Sequence, residues 1–366
     1  MTPLAESHDA LLLDLDGTIY LGERIIPHVV DVLIDATARG SRPMFVTNNA
    51  SRLPAEVATA LNGMGVAAQG TDVLTSPEAA ATMLAQAHPA GAAVLVVGAA
   101  ALSAAVTDVG LLPVRLAAEQ PVAVVQGHSP DTGWRELAEA CIALRAGADW
   151  VASNTDTTLP TDRGLLPGNG AMVAALKAAT GRTPRVAGKP NRPLLDEAVH
   201  RSGAKRPLVV GDRLDTDIEA AVLADMPSLM VLTGVSTCAD LLRAPACRRP
   251  SFVSFDLRGL VDENRVAALS AGSDAVDDRT WTVSEEAGEL VLVASDKNAD
   301  MDDGDHLRAL VLLAHRMWST QVTAVRPGDD AASAALTHLG LARIGYSPTR
   351  TPDRSAMIAE IRSGNS

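Results

Sequence analysis

The stretch Leu11-Leu12-Leu13-Asp14-Leu15-Asp16-Gly17-Thr18 decides the fold that we predict for this chain. The apolar run from Ala10 to Leu13 predicts a short buried strand, and Gly17 lets the chain turn sharply after two carboxylates. A second apolar run, Met44 to Val46, also ends at a polar cluster, and helical patterns follow both runs. This alternation predicts parallel βαβ units, whose ligands bind beyond the carboxyl ends of the strands.

The two carboxylates of this stretch are candidates for catalysis. Asp14 stands at the predicted strand end, where it can act as a nucleophile or a metal ligand, and Asp16 can exchange a proton with a leaving group. A calcium-binding loop is excluded, because Ile19 stands where such a loop needs glycine. The alternative interpretation of the stretch is a polar turn without chemistry.

A second acidic stretch, GDRLDTDI from Gly211 to Ile218, follows the predicted strand Leu208 to Val210. Asp212 and Asp217 could converge with Asp14 on one sheet edge, and such a cluster of hard oxygen ligands prefers Mg²⁺. Each like-charge pair at ~4 Å costs about 4 kcal/mol at an effective dielectric of 20. A phosphate ester therefore needs a divalent metal and a lysine in the same cleft.

Lys189, in the sequence Gly188-Lys189-Pro190, is the candidate lysine. A Walker A loop is excluded, because a proline follows this lysine where serine or threonine is needed. Thr47, Asn48 and Asn49 could supply a hydroxyl and backbone N–H groups to phosphate oxygens. The alternatives are an ordinary exposed lysine and a common turn sequence.

Together and in this order, DLDGT, Thr47, Lys189 and GDRLDTD resemble the four motifs of the haloacid dehalogenase superfamily of aspartate-nucleophile phosphatases, over about residues 8 to 258. Thr47 stands 33 residues after Asp14, and Lys189 stands 142 residues after Thr47. Only the second interval can hold a cap domain. This spacing resembles the p-nitrophenylphosphatase-like class IIA, whose large cap lies between the second and third motifs.

The resemblance implies a role for each motif. Asp14 would attack phosphorus to form an aspartyl-phosphate, and Asp16 would protonate the leaving alkoxide and then deprotonate the attacking water. The implied Mg²⁺ ligands are Asp14, Asp16 through its carbonyl, and Asp212, with Asp217 as a ligand or a supporting carboxylate. The implied phosphate-binding residues are Thr47, Asn48, Asn49 and Lys189.

The resemblance also implies the fold class, which is α/β. We expect a doubly wound parallel-sheet (Rossmann-like) phosphatase core over residues 8–75 and 183–260, with an inserted α/β cap over 76–182. The cap segment Ala152 to Gly170 resembles the loop that faces the catalytic edge in this family, so Asn154, Asp156 and Arg163 are candidate specificity residues. The predicted cap has only Trp134 and Trp150 as aromatics, which favours a small aliphatic phosphate.

The remaining segment, 267–366, resembles an α+β N-acetyltransferase-like domain, most clearly at AALTHLGLARIGY. Its pyrophosphate-binding signature RxxGxG/A is missing, and the turn before the first long helix reads ADMDDGDH. Carboxylates at that turn would repel coenzyme A, so we expect this unit to be non-catalytic. A phosphatase of this class with such a tail resembles the actinobacterial glycerol-3-phosphate phosphatases.

We therefore expect a Mg²⁺-dependent phosphomonoesterase that acts on glycerol 3-phosphate. The alternatives are pyridoxal phosphate, 2-phosphoglycolate or a nucleotide as substrate, or an acyl-CoA-binding regulator with a secondary phosphatase core. Aromatic residues make up only 2% of the chain and its net charge is -13, so a nucleic-acid partner is not expected. We expect a cytoplasmic protein without a membrane span; a homo-oligomer is compatible with the sequence.

Overall fold

A computed structural model describes residues 2–50, 52–161, 163–269, 279–296 and 300–342. Its strands are β1 (Ala10–Leu13), β2 (Tyr20–Leu21), β3 (Arg24–Ile25), β4 (Arg42–Thr47), β5 (Val73–Thr75), β6 (Ala93–Val97), β7 (Leu112–Val114), β8 (Ala123–Gln126), β9 (Asp149–Ala152), β10 (Thr158–Thr161), β11 (Gly164–Pro167), β12 (Arg185–Val186), β13 (Pro207–Gly211), β14 (Ser228–Val231), β15 (Phe252–Ser254), β16 (Ala267–Ala268), β17 (Trp281–Glu286), β18 (Glu289–Ala294) and β19 (Val325–Pro327).

The α-helices are α1 (Leu4–Ser7), α2 (Val29–Ala38), α3 (Pro54–Gly63), α4 (Ser76–Ala87), α5 (Ala100–Asp108), α6 (Trp134–Arg145), α7 (Asn169–Thr180), α8 (Pro193–Ser202), α9 (Glu219–Leu223), α10 (Cys238–Leu242), α11 (Asp303–Ser319) and α12 (Asp330–His338). Among the described residues, no helix is both long and apolar enough to cross a lipid bilayer.

The largest sheet has the strand order β16-β15-β14-β13-β1-β4-β5. All its pairings are parallel except that of β15 with β16. The first strand, β1, is buried along its whole length because helices cover both faces of the sheet, which explains its continuous apolar sequence. On one face Leu12 packs with Met44 and Val209, and on the other Leu11 packs with Phe45 and Leu208. This sheet confirms the predicted parallel α/β core.

A second parallel sheet has the order β12-β9-β8-β6-β7, and β10 and β11 form a separate antiparallel hairpin beside it. One face of this sheet packs against the same apolar cluster as the core sheet, through Val94, Val125 and Val151. Its other face packs against α6 and α7, around Trp150. The parallel strands confirm the predicted α/β character of this part of the chain.

The strand pairings place two short segments differently from the domain boundaries that we predicted. Arg185–Val186 was assigned to the phosphatase core, but it pairs with β9 of the second sheet. Ala267–Ala268 was assigned to the C-terminal unit, but it pairs with β15 and forms the edge of the core sheet. Strands of two residues leave no period in the sequence, so composition alone misplaced them.

The described C-terminal residues form a three-stranded sheet, β17-β18-β19, with α11 and α12 beside it. An acetyltransferase-like fold for this part remains a prediction, and the end of its sequence signature, from Arg343, lies outside the described residues. At the acidic turn, Asp302 and Asp305 cap α11: the Asp302 carboxylate accepts from the Asp305 N–H (2.8 Å), and the Asp305 carboxylate accepts from the Asp302 N–H (3.0 Å).

The C-terminal residues pack directly on the phosphatase core. One apolar cluster joins Leu241 and Met230 of the core to Leu310 and Trp281 of the C-terminal part. The indole of Trp318 also donates a hydrogen bond to the Leu241 carbonyl (3.1 Å), and the Arg249 guanidinium lies 4.5 Å from the Trp318 ring. The apolar side chains of α11 therefore pack against the core as well as against β17 and β18.

Truncation after Asn264 is expected to destabilise the protein, because it exposes the core side of this shared cluster. We expect lower solubility and a lower thermal midpoint than for the full chain. A milder test is Leu310→Ala, which opens a cavity at a fully buried position and should cost about 2–5 kcal/mol. Calorimetry of that variant should show the phosphatase core and the C-terminal part unfolding together at a lower temperature. An unchanged core transition would contradict a shared cluster.

Candidate active site

Three strand ends of the core sheet meet at one edge and carry the predicted motifs. Asp14 follows β1, Thr47 ends β4 and Asp212 follows β13. Their meeting follows from register, since Leu13 of β1 lies opposite Phe45 of β4 and Val210 of β13. The backbone N–H of Asp14 extends the ladder by donating to the Val210 carbonyl (2.9 Å). The sheet thus brings together residues that are almost 200 positions apart.

Lys189 links two of the clustered carboxylates. Its side chain is 3% exposed, and its Nζ lies 2.5 Å from Asp14 Oδ1 and 2.7 Å from Asp217 Oδ1. It also donates to the Val46 carbonyl (3.0 Å). Burial by itself opposes the ammonium charge, but the two carboxylates outweigh that effect and raise the pKa of Lys189 above its ordinary value. The two carboxylates therefore favour the charged form of this lysine within the cluster.

Asp212 is fully buried and held against two glycines. Its Oδ2 accepts a hydrogen bond from the Val235 N–H (2.6 Å). A Cβ on Gly17 would stand 2.5 Å from this oxygen, and one on Gly234 would stand 2.0 Å from it, so no larger residue fits at either position. Among the described residues, the other oxygen, Oδ1, has no hydrogen-bond partner. That buried acceptor needs a cation or a donor.

Oxygens of Asp14, Asp212 and Asp217 all lie within 4.8 Å of one another. Burial raises the pKa of Asp14 well above its ordinary value, and burial together with Asp217 raises the pKa of Asp212 to about 7. Such shifts mean that the protein alone does not compensate the charge of these carboxylates. A donor set made only of carboxylate oxygens, one of them without a partner, fits a hard divalent cation such as Mg²⁺.

Asp217 has neighbours for both carboxylate oxygens. Oδ1 faces Lys189, and Oδ2 accepts from the Arg213 N–H (3.1 Å). A Cβ on Gly211 would stand 2.3 Å from the Asp217 carboxyl carbon, which shows how closely that side chain packs on the backbone. A turn of π-helix, Leu214–Ile218, places it there. Asp217 therefore holds Lys189 in position, and its role toward the metal ion stays a prediction.

Asp16 stands apart from the oxygen cluster, at the solvent-exposed mouth of the cleft. The surrounding protein still removes part of its hydration, which raises the pKa of its carboxyl, while Arg52 opposes that effect. The backbone of Asp16 forms an isolated β-bridge with Tyr20 of the β2–β3 hairpin, and the Gly17 N–H donates a hydrogen bond to the Tyr20 carbonyl (2.8 Å). An acid at the mouth of the cleft can meet a leaving group without contacting the metal ligands.

The segment Thr47-Asn48-Asn49, called the TNN segment below, uses two of its side chains in hydrogen bonds that hold the surrounding backbone in place. The Thr47 hydroxyl is buried and accepts from the Asn49 N–H (3.0 Å). The Asn48 side chain bonds both backbone groups of Lys189: its Nδ2 donates to the carbonyl (2.9 Å) and its Oδ1 accepts from the N–H (2.8 Å). The phosphate contacts that we predicted from this segment use the Thr47 hydroxyl and backbone N–H groups, and they stay a prediction; the Asn48 side-chain amide is used to fix the lysine. Asn49 is exposed beside it.

The two cap residues that we singled out differ in their contacts. Asn154 is buried, and its Nδ2 donates to the Asn48 carbonyl (2.8 Å) while its Oδ1 accepts from the Asp156 N–H (3.3 Å). Asp156 is only half-buried, and burial raises the pKa of its carboxyl against the opposing charge of Arg213. Both side chains therefore join the cap to the core through Asn48, because the Asp156 carboxylate also accepts a hydrogen bond from Asn48 Nδ2 (3.4 Å), but only Asp156 keeps part of its surface exposed. The third candidate, Arg163, lies between β10 and β11.

Sequence reasoning missed several residues that shape the site. Arg213 pairs with Asp215 through two hydrogen bonds (2.9 and 3.0 Å), and its charge acts on Asp156. Asn169, the first residue of α7, donates to the Asn154 carbonyl (2.7 Å). The sequence offered a signal for both: the arginine lies within the motif GDRLDTD, and the asparagine follows a glycine before a helical pattern. Gly234 had none, because its close approach to Asp212 depends on the tertiary fold.

Comparison with known families follows the same motifs. A haloacid dehalogenase-like hydrolase model matches residues 11–112, and a related model of this type matches residues 186–260. The chain is 45% identical over 360 residues to a D-glycerol 3-phosphate phosphatase of Mycobacterium tuberculosis, covering 95% of this chain and 99% of that protein. The chain belongs to the haloacid dehalogenase-like hydrolases. It is also 34% identical to an acid sugar phosphatase of Staphylococcus saprophyticus, over 70% of this chain and 98% of that one.

Solved structures agree with this membership. A glycerol phosphate phosphatase of M. tuberculosis in complex with magnesium matches with a TM-score of 0.84 and 47% identity, over 93% of this chain and 99% of that chain. A p-nitrophenyl phosphatase from Archaeoglobus fulgidus matches with a TM-score of 0.65 and 28% identity, over 69% of this chain and 98% of that one. This hydrolase therefore has the fold class that its motifs predicted.

Proposed function

We propose that this hydrolase is a Mg²⁺-dependent phosphomonoesterase that converts glycerol 3-phosphate to glycerol and phosphate. The observation that carries the proposal is the cluster of Asp14, Asp212 and Asp217 around Lys189, at the joined ends of β1, β4 and β13. The substrate follows from the 45% identity, over nearly the whole chain, to a protein that bears the name D-glycerol 3-phosphate phosphatase.

In this proposal Asp14 is the nucleophile. Its carboxylate attacks phosphorus, the bond between phosphorus and the glycerol oxygen breaks, and Asp16 gives its proton to the leaving oxygen. Asp16 then takes a proton from water, whose oxygen attacks the aspartyl-phosphate and releases phosphate and free Asp14. A raised pKa suits Asp16 to this exchange, because a larger fraction of its carboxyl carries the proton that the first step needs.

The other residues hold the reacting groups in position and balance their charge. Lys189 holds Asp14 in one orientation and supplies one positive charge beside the incoming phosphoryl group. Asp14, Asp212 and the Asp16 carbonyl would hold Mg²⁺, which would neutralise the carboxylates and polarise the phosphoryl oxygens. Asp217 fixes the lysine, and Asn48 fixes the backbone from which the lysine extends. The Thr47 hydroxyl and the N–H groups of the TNN segment remain candidates for phosphoryl contacts.

The experiment that tests this function is phosphate release from a panel of phosphate esters by the full chain with Mg²⁺. We expect the highest kcat/KM for glycerol 3-phosphate. A higher value for pyridoxal phosphate, 2-phosphoglycolate or a nucleotide would leave the phosphatase in place and replace its substrate. No release from any ester would contradict the phosphatase itself.

Selectivity should depend on Asp156 more than on Asn154. Replacing Asp156 with Ala should lower kcat/KM for glycerol 3-phosphate about tenfold more than for p-nitrophenyl phosphate. Only glycerol 3-phosphate has hydroxyl groups that can donate a hydrogen bond to this carboxylate. Asn154→Ala serves as the comparison, because that side chain is used on Asn48 and should affect both substrates alike. Equal losses on both substrates in Asp156→Ala would show that Asp156 is structural.

A further inference from the structure

A second group of metal-ligand side chains lies far from the catalytic motifs in the sequence. Asp303 and His306, in the first turn of α11, and His338, the last residue of α12, each place one donor atom within 4.8 Å of the others. This group contains two imidazoles and one carboxylate, whereas the catalytic cluster contains carboxylates only. Its chemistry therefore favours a borderline transition metal such as Zn²⁺ over Mg²⁺.

The metal-ligand atoms of the three side chains lie close together, but no hydrogen bond joins Asp303 to His338. His338 Nε2 lies 3.6 Å from Asp303 Oδ1, which is too long for a hydrogen bond. Ligand atoms bound to one tetrahedral Zn²⁺, at ~2.0–2.2 Å from the ion, stand about 3.3 Å apart. The second oxygen of Asp303 accepts from Arg265 (2.9 Å), which holds the carboxylate with Oδ1 turned toward the histidine. Such an outer contact is typical of metal-binding carboxylates.

His306 adds an independent observation. Its Nδ1 is buried, and no described residue bonds to it. A ring nitrogen without a hydrogen-bond partner can bind a metal ion through its lone pair. The rings of His306 and His338 lie 4.2 Å apart at an interplanar angle of 21°, so one ring must rotate about χ2 for both to bind one ion.

We propose that Asp303, His306 and His338 form a second metal site, for Zn²⁺ or a similar divalent transition metal, that is separate from the catalytic cluster. The site stands where the C-terminal part meets the core: the Phe255 ring, just after β15, contacts His338 edge-on at 5.2 Å, and Arg265 precedes β16. A bound ion would tie α11 to α12 at this junction. Its role is structural, and it uses none of the catalytic residues.

The surrounding charges are compatible with a cation at this point. His338 ends α12, whose C-terminal dipole favours positive charge. The first turn of α11 opposes a cation through its dipole, but that turn carries Asp303 and Asp305, with Asp302 as the N-cap. Arg258 and Arg308 pair with Asp256 and Asp305, whereas Arg265 pairs with Asp303 itself through the oxygen that faces away from His338.

The test is calorimetric titration of the full chain with ZnCl₂ in saturating Mg²⁺, comparing the wild type with His338→Gln. The glutamine keeps the size and polarity of the site but not the imidazole ligand. We expect Zn²⁺ to bind the wild type at least about tenfold more tightly, and to raise its thermal midpoint by about 2 °C or more, a rise that the variant loses. Zn²⁺ that enters the catalytic cluster is common to both proteins and cancels in the comparison.

His200→Ala is the matched control, since that histidine is 86% exposed on α8 and belongs to neither cluster. It should bind Zn²⁺ as the wild type does. Equal Zn²⁺ affinity in the wild type and His338→Gln would overturn the proposal. Should His338→Gln fail to fold, wild-type crystals soaked in ZnCl₂ decide the matter: an anomalous zinc peak between the three side chains is expected, and its absence there would also overturn the proposal.

Discussion

Asp14→Asn is expected to lower kcat for phosphate release by about 10⁴-fold or more, whichever ester is used. An amide has no negative oxygen with which to attack phosphorus, and it is a weaker metal ligand than a carboxylate. The fold should survive, because burial makes the Asp14 charge unfavourable and the amide is isosteric with the carboxyl group. Lys189 keeps its second partner, Asp217, and so stays paired. The measurements are single-turnover phosphate release and the thermal midpoint.

Asp35→Asn is the control for this change. That carboxylate is 44% exposed on α2, where it pairs with Arg39 in the same helix, and its loss should leave kcat within about twofold of the wild type. Asp16→Asn should resemble Asp14→Asn in turnover with an alkoxide leaving group. It should lose less with p-nitrophenyl phosphate, whose acidic leaving group needs little protonation. A rate for Asp14→Asn close to that of the wild type would rule out Asp14 as the nucleophile.

The catalytic edge could be predicted from the sequence because its information is local. The motifs of Asp14, Thr47 and Asp212 directly follow apolar runs, and parallel strands deliver their carboxyl ends to one edge. These three residues therefore meet at that edge, whereas Lys189 follows β12 of the second sheet and reaches the edge from there. The proton-donor and nucleophile roles remain proposals.

What the sequence did not reveal depends on approaches between distant segments. The hydrogen bonds of the Asn48 side chain with the Lys189 backbone span 141 residues, and nothing in the triplet Thr47-Asn48-Asn49 indicates them. The same holds for the 106 residues between Asn154 and Asn48. The surface that covers α11 could not be predicted for a related reason: the apolar residues Leu307, Leu310 and Ala314, at spacings of three and four, predict a partner surface but do not say that α10 supplies part of it.

The charge at the catalytic edge leads to the prediction that metal removal abolishes turnover. Asp14, Asp212 and Asp217 carry three negative charges when ionised, and Lys189 returns one positive charge. A phosphate dianion entering this cluster would add two more negative charges, each pair at ~4 Å costing about 4 kcal/mol at an effective dielectric of 20. A divalent cation brings the sum of these four side chains to zero before the substrate arrives.

We therefore expect the full chain in excess EDTA, with its metal content shown to be nil by atomic emission, to release phosphate at less than about 1% of the Mg²⁺-loaded rate. Readdition of Mg²⁺ should restore that rate. Asp212→Asn should need a much higher Mg²⁺ concentration for full activity, because the buried oxygen Oδ1 without a hydrogen-bond partner belongs to this residue, and an amide at that position holds a cation less well.

Full activity without metal would mean that Lys189 alone balances the charge of the phosphate, and the carboxylates would then have to be protonated in the working enzyme. The raised pKa values of Asp14 and Asp212 make that alternative measurable: a metal-free enzyme of this kind would lose its activity as the pH rises above about 7, whereas an enzyme that binds Mg²⁺ through these carboxylates should gain metal affinity over the same range.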